Sequence, residues 1–184
     1  MKPYWIAVFA LLGCNGNNGD SNSEGPQYSQ QSPNGVNRPS ESPTETWSGN
    51  LATGEVIDLD FAQEIYCFPA NENENFSGNH MMYDYTQPTG TNITVIATPV
   101  SQVDVSLYVI QTGVDTTFWP PNTAGGGGTI CEAEYDQSTD NNPGKPEGTF
   151  IGGWDQPYRL IIGVAGAGDT YEGEFKVEIW ESTL

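Results

Sequence analysis

A group of oxygen-bearing side chains in the second half of the chain has the spacing of a calcium-binding loop. Asp136, Ser138 and Asp140 occupy positions one, three and five of such a loop. Glu147 occupies position twelve, which usually supplies a bidentate carboxylate. Asn141 stands at the sixth position, where glycine is usual, so an acidic surface turn is the alternative interpretation. The spacing is the only indication of a cofactor in the sequence, and that cofactor is calcium.

A single histidine limits the catalytic mechanisms that use an imidazole base. His80 would have to serve any histidine-dependent triad, next to a nucleophile. It lies on a predicted strand, where a polar residue at the strand edge is the simpler interpretation. The motifs Gly-x-Ser-x-Gly, His-Glu-x-x-His and Cys-x-x-Cys do not occur. We therefore predict no catalytic residues and no enzyme activity. A hydrolase with an unrecognised pair of carboxylates is the competing interpretation.

An acidic group and a tryptophan are two further candidate sites. Asp58, Asp60 and Glu64 form an acidic group beside apolar residues, and a solvated face is the favoured interpretation. Trp119 is the candidate binding residue, because the two prolines that follow it stiffen a long loop. An exposed indole can stack on a sugar or anchor a protein partner.

The three cysteines divide between a signal segment and the rest of the chain. Cys67 and Cys131 both follow an export signal, so their compartment permits a disulfide. In the chain-entropy model such a bridge would stabilise the fold by about 4 kcal/mol. Two reduced, buried thiols are the alternative.

Composition excludes several classes of partner. The chain has 184 residues, with 24 Asp or Glu against 5 Lys or Arg, and a formal net charge of −19. A nucleic-acid partner needs a basic patch to neutralise phosphates, so none is expected. Attraction to anionic lipid head groups is excluded for the same reason. Neutral polar residues dominate the remainder, which favours a secreted or cell-surface protein of one domain.

Residues 1–14 have the features of a short export signal. Lys2 supplies the positive charge, and the apolar run that follows is too short to span a bilayer as a helix. The end of the run, Leu11-Leu12-Gly13-Cys14, resembles the lipobox of bacterial lipoproteins. The resemblance implies that Cys14 takes a diacylglycerol, becomes the new N-terminus and anchors the chain in a membrane. An ordinary secretory signal is the alternative.

Residues 15–46 are rich in Asn, Ser, Gly and Pro and carry few apolar side chains. Such a segment cannot bury enough surface to offset the entropy of ordering, so we predict a disordered linker. Flexible-chain scaling gives it a reach of roughly 30 Å. Residues 47–184 then form the folded domain.

The stretch 91–111 gives the clearest structural signal, since apolar and polar residues alternate as they do in strands. It predicts two long strands joined at Pro99 and Val100. Similar runs predict further strands at 55–61, 80–85, 129–135, 158–165 and 172–181, and 64–68 is either a strand or a helical turn. No stretch has a sustained helical period. The fold class is therefore all-β, an antiparallel jelly-roll-like sandwich of about 7–9 strands.

The closing strands PYRLIIGVAG and YEGEFKVEIW, after VDVSLYVIQTG, resemble those of bacterial pre-peptidase C-terminal domains. That resemblance implies a jelly-roll-like accessory domain without catalysis of its own. Together these features predict a lipid-anchored cell-envelope protein, in the outer membrane or at the cell surface. It would bind a carbohydrate or a protein through the loops 112–128 and 136–153. A structural subunit of a surface assembly is a further alternative.

Overall fold

The fold was determined as a computed structural model, which describes residues 42–64, 74–122, 130–134 and 144–184. Within these residues eight strands and one short α-helix form. The helix, α1, is Asp60–Glu64. The strands are β1 Glu45–Asn50, β2 His80–Gln87, β3 Thr91–Pro99, β4 Val105–Thr112, β5 Ile130–Glu134, β6 Glu147–Ile151, β7 Tyr158–Gly166 and β8 Glu174–Thr183.

The strands form two four-stranded antiparallel sheets. The first sheet has the order β1-β8-β3-β6, and the second sheet has the order β2-β7-β4-β5. The first strand therefore pairs with the last, the second with the seventh, the third with the sixth and the fourth with the fifth. This is the pattern of a long antiparallel hairpin rolled into two sheets, which is the eight-stranded jelly roll. The predicted fold class is confirmed.

The stretch 91–111 forms two strands that lie in different sheets. β3 belongs to the first sheet and β4 to the second, so the turn between them crosses the sandwich. The inward faces that alternation predicts are confirmed, because they meet in one core between the sheets. Its members from these two strands are Ile93, Val95, Ala97, Val105, Leu107 and Val109.

The outer face of the second sheet is buried as well. Every residue of β4 is buried, including Tyr108 and Ile110, which point away from the first sheet. The long connection between β1 and β2 covers them with a second apolar cluster that includes Phe61 and Phe76. We call the described parts of this connection, residues 55–64 and 74–79, the cover.

The cover corrects the predicted strand at residues 55–61. Only Glu55 pairs with a strand, through an isolated bridge to His80, and the chain then turns into α1. The Oδ1 atom of Asp58 accepts a hydrogen bond from the backbone N–H of Asp60 at 3.0 Å, as an N-terminal cap does. Phe61 thus packs from a helical turn. The alternation that predicted a strand arises because the exposed Asp58 and Asp60 stand between the buried residues Ile57 and Phe61.

Other boundaries also differ from the sequence prediction. β6 lies inside the stretch that was predicted as turns, because a five-residue edge strand containing a glycine carries little alternation. β1 begins at Glu45, two residues before the predicted domain start. The strands predicted near β2, β5, β7 and β8 are confirmed. No helix among the described residues is long and apolar enough to cross a membrane.

Close packing in the second sheet yields a prediction at Gly163 in β7. A Cβ atom there would overlap the ring of Tyr108, which is fully buried on the neighbouring strand. We expect Gly163→Ala to lower the free energy of unfolding by about 1–3 kcal/mol, because the overpacked ring cannot move away. Urea denaturation measures the change.

Gly152→Ala is the matched control, since a Cβ atom at Gly152 would have no neighbouring atom within 4 Å. We expect that variant to unfold within about 0.5 kcal/mol of the parent chain. Equal stabilities for the two variants would contradict the packing of Tyr108 against Gly163.

Candidate functional site

A polar cleft of about 530 Å³ opens at one end of the sandwich. Three separate parts of the chain build it: the end of the cover, the β3–β4 turn and the β7–β8 turn. The residues that line it are Glu74, Asn75, Gln102, Val103, Asp104, Ala167, Gly168, Asp169 and Thr170. A volume of this size is in the range of small-molecule sites.

The topology of the jelly roll brings these parts together. β4 and β7 are antiparallel neighbours, and Val105 at the start of β4 pairs with Gly166 at the end of β7. The backbone N–H of Ala167 then donates to the carbonyl of Asp104 at 3.2 Å. The N–H of Gly168 donates to the carbonyl of Glu74 at 2.7 Å. Backbone hydrogen bonds therefore fix the walls of the cleft to one another.

The side chains of the cleft are mostly acceptors of hydrogen bonds. Glu74, Asp104 and Asp169 contribute carboxylates, and Asn75 and Gln102 contribute amides. The phenol of Tyr171 donates to Asp169 at 3.1 Å and holds that carboxylate at the rim. No Lys or Arg is among the described lining residues. Such a lining suits ligands that donate hydrogen bonds, such as polyols, and disfavours anions.

The single histidine lies behind this cleft and not at its surface. His80 begins β2, which is an edge strand of the second sheet, and it is buried there, with only 3 % of its surface exposed. Its Nε2 atom is 2.7 Å from the carbonyl oxygen of Phe76, and its Nδ1 atom is 3.1 Å from the hydroxyl of Tyr108. A carbonyl can only accept, so Nε2 carries the proton and Tyr108 donates to Nδ1.

Burial keeps this imidazole neutral. Desolvation lowers the pKa of His80 from 6.5 to about 4, although its hydrogen bond to Phe76 favours the charged form. Burial also raises the pKa of the Tyr108 phenol. His80 therefore acts as a hydrogen-bonded core residue that joins the cover to β4.

Trp119 is held against the body of the protein by an arginine. The guanidinium of Arg159 lies 5.4 Å from the centre of its ring. The same guanidinium donates to the carbonyls of Thr116 and Phe118, and its Nη2 and Nε atoms both donate to one carboxylate oxygen of Asp84, Oδ2, at 2.7 and 2.9 Å. Trp119 is partly buried against the second apolar cluster. Its assignment as a binding residue stays a prediction, and its visible contacts are structural.

The two loops that were predicted as contact edges begin at opposite ends of the sandwich. The loop after β4 starts beside Gln111, which pairs with Ile130. The loop after β5 ends at Gly144, whose N–H donates to the carbonyl of Val103 at 2.8 Å, next to the cleft. Within the described residues, the predicted contact loop 136–153 therefore lies beside the cleft at Gly144.

The predicted calcium ligands are only partly within the described residues. Asp136, Ser138 and Asp140 lie outside them. Glu147 begins β6, is 8 % exposed and pairs with Ala97, a residue of the core between the sheets. No group of three or more His, Cys, Asp or Glu within the described ranges is placed to hold a metal ion. Calcium binding stays a prediction, which thermal unfolding with and without millimolar calcium would test.

The remaining predicted residues also fall largely outside the described part. Cys14 and Cys67 lie outside the described residues, so neither the lipid anchor nor the disulfide is described. Cys131 is known only as a position in β5. Asp58 and Asp60 are exposed, in agreement with a solvated face. Sequence reasoning missed the cleft, because its walls come from three distant segments without a shared motif.

Comparison with known proteins identifies no family for this chain. No protein-family model matches the chain, and no curated protein matches it. One solved structure with a similar fold is the infectious bursal disease virus VP2 subviral particle, with a TM-score of 0.35 and 11 % sequence identity. The match covers 76 % of this chain and 32 % of that chain.

Two variants compare how much the ion pair of Arg159 and its hydrogen bonds to backbone carbonyls contribute to stability. We expect Arg159→Ala to lower the free energy of unfolding by about 1–3 kcal/mol, because two backbone carbonyls lose a charged donor. Asp84→Asn removes only the ion pair with a half-exposed carboxylate and should cost less than about 1 kcal/mol. Urea denaturation of both variants makes the comparison. A larger loss in Asp84→Asn than in Arg159→Ala would contradict this assignment.

Proposed function

We propose that this chain is a lipid-anchored, non-catalytic binding module of a bacterial cell envelope, and that it binds a carbohydrate in the polar cleft. The observation that carries the proposal is the cleft itself, a concave polar site fixed between backbone segments at one end of a rigid jelly roll. Loops on a rigid scaffold commonly carry function.

The chemistry of the cleft favours a hydroxyl-rich ligand. Its carboxylates and amides can accept hydrogen bonds from sugar hydroxyls, and the amides of Asn75 and Gln102 can also donate to ring and hydroxyl oxygens. A concave site of about 530 Å³ fits a short oligosaccharide better than it fits the flat surface of a protein partner. Phosphorylated or sulfated ligands are disfavoured by the surrounding negative charge.

The position of His80 supports a function without histidine-based catalysis. The only histidine of the chain is buried, and both ring nitrogens are occupied by Phe76 and Tyr108. A general base must reach the proton that it abstracts. The proposal therefore assigns binding to the cleft, and a hydrolase built on carboxylates alone is its competitor.

The sequence before the domain supports display at a membrane. Its features are the signal with the lipobox-like ending at Cys14 and the polar segment that follows it up to the start of β1 at Glu45. A lipid anchor followed by a linker with a reach of roughly 30 Å would hold the cleft away from the bilayer.

The anchor is tested by changing its single acceptor. We expect Cys14→Ala to move the protein from the membrane fraction to the soluble fraction of the expressing cells, because no thiol remains for the lipid. Ser21→Ala, a change in the polar linker that keeps the signal and its cysteine intact, is the control and should stay with the membrane. Retention of Cys14→Ala in membranes would contradict the lipid anchor.

The cleft is tested with a panel of bacterial cell-wall and capsule oligosaccharides. Glycan-array screening selects a ligand, and calorimetry gives its affinity. We expect Asp169→Asn combined with Gln102→Ala to weaken binding at least about tenfold, since each lost polar contact contributes about 1 kcal/mol.

Asp115→Asn, an exposed carboxylate after β4 at the other end of the sandwich, is the matched control and should bind normally. The carbohydrate proposal is refuted if no oligosaccharide binds below millimolar concentration. Binding that is equally weakened in the control, or cleavage of the bound oligosaccharide, would contradict the site or the absence of catalysis.

A further inference from the structure

The cover is attached to the second sheet mainly through one aromatic cluster. Ile57, Phe61, Ala62 and Phe76 of the cover are all buried. The rings of Phe61 and Phe76 lie 6.2 and 6.1 Å from the ring of Tyr108. Their contacts with β4 are therefore apolar, and they do not depend on pH.

His80 is the group in this attachment that gains a proton in acid, whereas the pKa of the Tyr108 phenol is raised by burial. Its ring centre is 5.8 Å from that of Tyr108, and its two hydrogen bonds join Phe76 of the cover to Tyr108 of β4. The backbone of His80 also pairs with Glu55 at the start of the cover, with N···O distances of 2.8 and 3.2 Å. One residue thus contacts both ends of the cover and the sheet beneath it.

Protonation of His80 would disrupt this arrangement. Both ring nitrogens become donors, so the Tyr108 hydroxyl could no longer donate to Nδ1 and would have to accept a hydrogen bond from it instead. The charge would also lie among buried aromatic and apolar side chains, and no carboxylate of the described residues forms an ion pair with His80. Around it, β7 contributes Ala165, and the carboxylates of Glu55, Asp60 and Glu74 on the cover are exposed. The two hydrogen-bond partners of the imidazole are a phenol and a carbonyl.

The same end of the cover forms one wall of the cleft. Besides the bond between Gly168 and Glu74, the hydroxyl of Ser77 donates to the carbonyl of Gly168 at 2.8 Å. The N–H of Gly78 donates to the carbonyl of Gly166 at 2.9 Å. Movement of Phe76 away from Tyr108 would pull on these three bonds, so the cleft depends on the seating of the cover.

We propose that His80 is a pH-sensitive latch: its protonation releases the cover from the second sheet and opens the cleft, so that bound ligand is released in acid. The release of the cover is argued from the contacts of His80 and does not require that the cleft binds a ligand. The release of ligand rests on the proposed function of the cleft.

The direction of the pH effect follows from the pKa values. The pKa of His80 is about 4 with the cover seated and returns toward 6.5 when the cover opens. The open state therefore binds more protons between these values. The latch is at full strength above about pH 6.5 and weakens as the pH falls toward 4.

Amide hydrogen exchange, measured by NMR at pH 7.5 and 4.5 and corrected for intrinsic rates, tests the latch. The reporting amides are Gly78 and Gly168, and the reference amides are Val109 and Ile162 in the paired strands β4 and β7. We expect protection of the reporters to fall on the order of 50- to 100-fold at pH 4.5, with the reference amides still protected. Unchanged reporters, or an equal loss at all four amides, would overturn the proposal.

Two variants assign the effect to His80. In His80→Gln the amide can still donate to Phe76 but does not titrate, so the reporters should show no such fall. In Tyr108→Phe the neutral imidazole loses its donor, and the reporters should open at a higher pH than in the parent chain. An unchanged pH profile in Tyr108→Phe would overturn the latch even if His80→Gln does not fold.

Calorimetry with the selected oligosaccharide at the same two pH values tests release. We expect a loss of affinity at pH 4.5 that is absent in His80→Gln. Opening of the cover without a change in affinity would overturn the release and leave the latch supported. If no oligosaccharide binds at either pH, the proposed function fails, whereas the exchange experiment still decides the latch.

Discussion

The burial of both faces of the second sheet is the constraint on which the rest of the structure depends. β4 and β7 form its centre and are buried along almost their whole length. An antiparallel sheet can leave one face in water only if that face is polar. Here Tyr108, Ile110 and Ile161 occupy the outer face, so a second layer must cover it. The first sheet cannot do so, because it already packs on the inner face.

The connection between β1 and β2 supplies that layer, and this explains its unusual length for a sandwich loop. Its apolar residues cover the outer face, and its polar residues 74 and 75 reach the end of the sandwich. The same segment therefore completes the core and builds a wall of the cleft. This dual role links the stability of the fold to the shape of the cleft, since the cover and the cleft wall share hydrogen bonds to Gly166 and Gly168.

The sequence was a good guide where alternation reports burial on one face. β3 and β8 were predicted from residues such as Val95 and Val177, which alternate with polar neighbours. It was a poor guide where packing is decided by distant segments. Phe61 ends a short alternating run, which predicted a strand. It is buried from a helical turn instead, because it packs against Tyr108, a residue far along the chain. His80 gave no sign of burial, since its two partners are a backbone carbonyl and a phenol from another strand.

The cleft could not be predicted for the same reason. Glu74, Asp104 and Asp169 come from three connections that only the jelly-roll topology brings to one end. The calcium spacing at 136–147 lies within a single segment, which is why it was visible in the sequence. Spacing within one loop predicts candidate ligands, whereas a site assembled from several loops requires the pairing of the strands to be known.

The most direct test of this account is the protonation state of His80, measured by long-range ¹H–¹⁵N correlation NMR of the imidazole at pH 7. The account predicts a neutral ring with the proton on Nε2 and an unprotonated Nδ1, in a single environment, because the cover is seated on Tyr108. An imidazole that exchanges between tautomers and titrates near its ordinary pKa of 6.5 would contradict it. That result would mean that His80 is in water and that the second sheet is not covered as described.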